Sequence, residues 1–202
     1  MRVLLKLGLV LFGLVYTSAP SITFAHNVGT ATSTVSEGTT PGQLQNYAAE
    51  QYERFMGYHR DIYKTHNGLN VVAVKSSQDR YLVLGTCTVN KKPYMATLSV
   101  PRSMDSQKVG IIVFENKENE PLVFSKAVMG NYIYIAGVAN GGAIAKVKIN
   151  GRKDNFVSEV PVSKDGYFLS VIKHNTNNDR DNNPLVIKGL NEQGKTVSTH
   201  YA

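Results

Sequence analysis

The sequence predicts a mainly β protein: antiparallel strands stacked as a sandwich, in one or two modules, behind a single amphipathic helix. Three observations carry this. From Leu69 onward, apolar residues recur at every second position. Short turn sequences such as Asn150-Gly151 and Asp165-Gly166 interrupt those runs at regular intervals. Before Leu69, one stretch repeats at helical spacing instead. A chain of 202 residues can bury a real core, and its 42% hydrophobic content is ordinary for a globular protein.

Residues 1–25 read as a secretory signal peptide. Arg2 and Lys6 form a basic start, Leu7–Tyr16 is apolar, and Thr23-Phe24-Ala25 offers small residues at the positions a signal peptidase reads. Cleavage is expected after Ala25, leaving no stable membrane span. Ser18, Pro20 and Ser21 break the apolar run too soon for a comfortable crossing. The expected address is secreted, extracellular or cell-envelope associated. Loss of Arg2 and Lys6 takes the formal charge from +7 to +5. The remaining cations lie among acids, as in Lys117-Glu118-Asn119-Glu120, so nucleic acid is not an expected partner. A loose association with an anionic wall or membrane surface is compatible with this charge. Cys87 is the single cysteine, so no disulfide can form within the chain.

Residues 26–40, rich in Thr, Ser and Gly, read as a flexible linker. Thr40, Pro41 and Gln43 then supply an N-cap, a first helical residue and a capping-box partner. Leu44, Tyr47, Ala48, Gln51, Phe55 and Ile62 make an apolar stripe on a helix expected to reach about Tyr63, within a segment 41–68 that packs on the first β module. That module is placed at 69–130. Within it, Leu69–Lys75 and Tyr81–Val89 are strand-like. Tyr94, Ala96, Leu98 and Val100 alternate with Met95, Thr97 and Ser99 as a half-buried strand. Val109–Glu115 and Leu122–Val128 are expected to form a hairpin about Glu118–Pro121.

The second module is placed at 131–202. Ile133, Ile135 and Gly137 share one strand face, and Tyr132, Tyr134 and Ala136 the other. Further strands follow at 145–149, 156–162, 167–172, 185–190 and 196–200, separated by turns at Asn140-Gly141-Gly142, Asn150-Gly151, Asp165-Gly166 and Glu192-Gln193-Gly194. The order Gly137, Ala139, Gly142, Ile144, Val147, Ile149, Asn150, Gly151, then Asp165, Gly166, Phe168 and Gly194 resembles bacterial immunoglobulin-like modules. The resemblance covers about residues 131–202 and implies an immunoglobulin-like sandwich. The loop Asn175–Asn183 departs from the tidier loops of such modules. Upstream, Tyr81–Gly85 echoes Tyr132–Gly137, which leaves a tandem of two sandwiches and one long sandwich both open.

Chemistry-bearing patterns are sparse. Leu84-Gly85-Thr86-Cys87 is similar to the L-x-T-C signature of sortases, exported thiol transpeptidases, but Val83 stands where the leading Thr belongs. His59 and His66 lie too close upstream for a sortase barrel to fit before Cys87, although Arg102 stands at a tolerable distance downstream. The alternative is a strand cysteine serving as a small hydrophobe. Asn177, Asp179, Asp181 and Asn183 present oxygen ligands of the kind calcium takes. Counted from Asn177, the sixth and twelfth places of an EF-hand loop hold Asn182 and Lys188 instead of Gly and Glu. The five histidines show no metal-binding spacing. No cofactor, no metal and no catalytic residue is therefore assigned. Tyr132 and Tyr134, with Tyr81 and Tyr94, are candidates for an aromatic strip that holds a sugar or peptide, and Asn177, Asp179 and Asp181 for a binding loop. The expectation is a secreted, non-catalytic binding or adhesion module of a bacterial surface, its partner a surface polymer or protein. An exported enzyme or enzyme accessory using Cys87, and a secreted regulator or inhibitor, are the alternatives.

Overall fold

The computed structural model describes residues 39–129, 132–151, 156–173 and 184–202. The expected signal peptide, nearly all of the expected linker and the candidate binding residues Asn177, Asp179 and Asp181 lie outside them.

One helix, α1 (Pro41–Tyr58), opens the described chain. Thr40 Oγ1 accepts from the Gln43 N–H at 3.2 Å, and Gln43 Oε1 accepts from the Thr40 N–H at 2.8 Å. This reciprocal box satisfies two amides that the helix cannot. The helix stops at Tyr58, short of the expected Tyr63, because His59 turns out of helical geometry (φ −109°, ψ 31°) and caps back onto the Phe55 and Met56 carbonyls. Its buried row is Leu44, Ala48, Tyr52 and Met56 with Gln51. Ile62, past the turn, is 64% exposed and takes no part in the stripe.

Eleven strands follow among the described residues: β1 (Asn70–Ser76), β2 (Arg80–Val89), β3 (Lys92–Pro101), β4 (Gly110–Glu115), β5 (Leu122–Met129), β6 (Tyr132–Ala139), β7 (Lys146–Gly151), β8 (Val157–Pro161), β9 (Tyr167–Lys173), β10 (Leu185–Leu190) and β11 (Thr196–Tyr201). All pairings are antiparallel. The protein is mainly β with a single helix among the described residues, as the sequence predicts. Among the described residues the strands form three sheets: a first sheet β1-β2-β3-β4, a middle sheet β5-β6-β9 and an outer sheet β11-β10-β7-β8.

These stack as layers. The helix row packs on Tyr81, Val83, Cys87, Ala96, Leu98 and Val100 of the first sheet. The opposite face of that sheet, with Leu82, Leu84, Met95 and Phe114, meets Val123, Tyr134, Ala136, Val138 and Leu169 of the middle sheet. The other face of the middle sheet, with Leu122, Phe124, Ile133, Ile135 and Phe168, meets Val147, Ile149, Leu185 and Ile187 of the outer sheet. The middle sheet is thus buried on both faces, which explains the near-continuous apolar run of β6.

Several sequence expectations are corrected by this stacking. β3 is buried on both faces, not one: Thr97 and Ser99 are enclosed, and the Thr97 and Ser125 hydroxyls pair at 2.9 Å between first and middle sheets. β4 and β5 do not form a hairpin. β4 pairs with β3 and β5 with β6, and the chain crosses from one sheet to the next between them. Leu122, Val123 and Phe124 are consecutive and all buried, which requires a strand covered on both faces; the middle sheet supplies that. Asn140 Nδ2 pins the crossover by donating to Asn116 Oδ1, the Lys117 carbonyl and the Glu120 carbonyl. The expected division at 130/131 falls between two strands that pair with each other, Met129 opposite Tyr132.

Candidate functional site

Cys87 lies on the helix-facing side of β2 and is 7% exposed. Its thiol meets the ring end of Tyr52, whose hydroxyl is enclosed and finds no nitrogen or oxygen partner. Burial pushes the Cys87 thiol above its ordinary range, with the Tyr52 hydroxyl pulling the other way by less. A nucleophilic cysteine needs the opposite shift. Residues that the sortase-like reading would recruit are engaged elsewhere. Arg102 stacks 5.0 Å over the Tyr81 ring and donates from Nη2 to the Ser77 carbonyl at 2.8 Å. His59 packs 4.5 Å from the Phe55 ring at the helix end. His66 pairs with Glu53 at 3.0 Å and stands edge-on to Tyr52. Among the described residues no group of three or more His, Cys, Asp or Glu could hold a metal ion.

The tyrosines do not assemble into an exposed strip. Tyr134 is 1% exposed between the first and middle sheets, and burial raises its pKa. Tyr132, half-buried with its ring 6.1 Å from Tyr134, donates from Oη to Gln78 Oε1 at 3.3 Å. Tyr81 is buried beneath Arg102, and Tyr94 lines a small cleft with Glu115, Lys117, Glu120, Phe124 and His200. In that cleft the His200 ring stands edge-on to Phe124, 5.4 Å away, and burial lowers its pKa.

A larger cleft of about 700 Å³ opens at one end of the sandwich built by the middle and outer sheets. Its walls are the β6–β7 connection (140–145), the β8–β9 turn (162–166) and the first residues of the β10–β11 turn (191–193). Backbone bonds lace these three together. The Ala145 N–H donates to the Leu190 carbonyl at 2.8 Å, the Val162 N–H to the Ala145 carbonyl at 2.9 Å, and the Ala139 N–H to the Gly166 carbonyl at 2.8 Å. Gly166, at φ 85°, lies so near the Ala139 carbonyl that a Cβ there would meet its oxygen at 2.7 Å. Lys164, Asp165, Glu192 and Gln193 are exposed at this end, on loops held by a rigid scaffold. Such an arrangement can bind a polar ligand through side chains and backbone.

Around the corner, a second hollow of about 350 Å³ lies on the outward face of the outer sheet. Lys146, Lys148, Glu159, Lys188 and Leu190 line it. Lys148 Nζ sits 2.9 Å from Glu159 and holds that carboxyl below its usual range, Lys146 adding a smaller pull. Residues Leu190, Asn191 and Glu192 border this hollow, and the last two also border the end cleft.

Sequence reasoning marked each of the three turns separately but not their convergence, because convergence depends on which sheet each strand joins. Among the described residues no helix is long and apolar enough to cross a membrane. Comparison with protein-family models, with curated proteins and with solved structures finds no match to this chain.

Proposed function

We propose that this protein is a secreted, non-catalytic binding module of the cell surface or extracellular space, with its recognition site at the three-loop end of the sandwich. The observation that carries the reading is the cleft of about 700 Å³ between the turns at 140–145, 162–166 and 191–193. Its volume suits a ligand of moderate size. The strand order β5-β6-β9 facing β8-β7-β10-β11 supports the resemblance to immunoglobulin-like modules, a fold that gathers loops at the ends of its sandwich. The placement of Cys87 in the core favours binding over thiol catalysis. The partner class is a surface polymer or protein of the envelope, in keeping with the leader sequence at residues 1–25.

The test is retention of the chain from His26 onward on fractionated envelope material. Gln193→Trp, which places a large ring in the cleft, should abolish retention while leaving the melting temperature within about 2 °C of the parent, since exposed turn substitutions cost little. Absence of retention on every polymer and protein fraction, or retention indifferent to Gln193→Trp, would sink this assignment. N-terminal sequencing of the exported form should begin at His26.

A further inference from the structure

The outward face of the outer sheet differs from the other sheet faces. Each face of the first and middle sheets packs against the helix or a neighbouring sheet, whereas nothing among the described residues covers this one. Antiparallel register fixes its layout. One row across the sheet reads Val157, Asn150, Val186, Tyr201, and the next reads Glu159, Lys148, Lys188, Thr199. Lys146 lies two residues along β7 from Lys148. Val157 and Tyr201 are 61% and 67% exposed.

Lys148 and Lys188 stand directly opposite each other on adjacent strands. Like charges in that position oppose sheet pairing. Glu159 engages Lys148, while Lys146 and Lys188 form no ion pair among the described residues. Glu192, at the rim of the hollow, is the other carboxylate there. Cross-strand neighbours are spaced by about 4.8 Å and alternate residues along a strand by about 6.8 Å. Lys146 and Lys188 are therefore diagonal neighbours, with backbones about 7–8 Å apart, a span comparable to the charge spacing along an extended phosphodiester chain.

We infer that this face binds a phosphate-bearing polyol or sugar polymer. Lys146 and Lys188 take successive phosphates, and the neighbouring row of Val157, half-buried Val186 and Tyr201 packs against the uncharged units beyond Lys188. Flexible ammonium groups serve as point charges for phosphate, a task that does not need the bidentate fork of arginine. Among described residues on that face Tyr201 is the single aromatic ring, whereas single-stranded nucleic acid is held by several stacking rings. The inference rests on the binding-module reading for its biological setting, but it concerns a different surface from the loop cleft and names the ligand's chemistry.

The experiment titrates the chain from His26 onward with lipid-free poly(glycerol phosphate) across a salt series. Polyglutamate of matched charge and single-stranded DNA serve as competing probes. Lys146→Gln/Lys188→Gln should bind about tenfold more weakly at low salt, with a log–log salt slope shallower by roughly 0.7 per removed contact. Lys188→Gln should melt no lower than the parent, because Lys148 then faces an uncharged neighbour, which keeps the result separate from misfolding. Gln193→Trp should leave this binding intact, so loss of loop-cleft recognition and loss of the lysine face are read independently. Unchanged affinity and slope in the double variant would overturn the inference. So would polyglutamate binding as tightly as the phosphate polymer, or DNA binding more tightly than either.

Discussion

At Gly137 the backbone of β5 passes so close to β6 that a Cβ would lie 2.1 Å from the Val123 carbonyl oxygen and 2.9 Å from Phe124 Cα. Backbone in a doubly covered sheet has little room to yield, so Gly137→Ala should cost about 3 kcal/mol in urea unfolding. The Tyr52 hydroxyl is the contrasting case. It is enclosed beside a thiol without an oxygen or nitrogen partner, so Tyr52→Phe should change stability by less than about 1 kcal/mol and in the stabilising direction. Cys87, buried in the same cluster, should resist alkylation at pH 8 until the protein is unfolded, and a fast-reacting native thiol would contradict the packing described above. His200 connects a residue to pH. Burial lowers its folded pKa from the ordinary 6.5, so the unfolded chain takes up this proton first as pH falls. Its contribution leaves stability intact above that range and erodes it as pH drops from 6.5 toward the folded value. Urea midpoints measured from pH 7 to 5 should therefore fall less steeply in His200→Phe than in the parent.

The helix shows how far an element can be read from local signals. Its start was legible to the residue, because Thr40, Pro41 and Gln43 satisfy backbone amides by purely local chemistry. Thr40→Ala should cost about 1 kcal/mol, visible as a lowered melting temperature. Its end was not legible: Ile62 continues the apolar spacing, yet the chain has already turned at His59. The strands divide the same way. Alternation correctly put Ile133 and Ile135 on one side of β6 and Tyr134 on the other, but it could not say that both sides are buried. That depends on what else stacks there, and Tyr134 accordingly lies in a core instead of on a binding strip. Strand partners were hidden for the same reason. Nothing in the period of Val109–Glu115 and Leu122–Val128 says that the polar link between them changes sheets. Lys146, Lys148 and Lys188 were each visible in the sequence, while their alignment came from the register of β7 with β10.

At the scale of the molecule, a middle sheet shared by two hydrophobic layers ties the two halves of the chain together. Thermal unfolding should therefore be a single transition with matching calorimetric and van 't Hoff enthalpies. A fragment beginning at Leu122 would leave Val123, Tyr134, Ala136, Val138 and Leu169 without the first sheet. It should aggregate, and charged substitutions at Val123 and Val138 should restore its solubility.

The middle sheet also sets a timetable. The first four strands pair in sequence, each with its immediate neighbour, so the N-terminal meander can assemble from short loops. β9 joins β6 with Tyr132 opposite Lys173, after β7 and β8 have gone to the outer sheet. Loop closure over that separation is slower than hairpin formation. A growing chain thus completes its first sheet while the inner face, with Leu82, Leu84 and Met95, still waits for its cover, and the arrival of β9 closes the interval in which two half-built molecules can stick together.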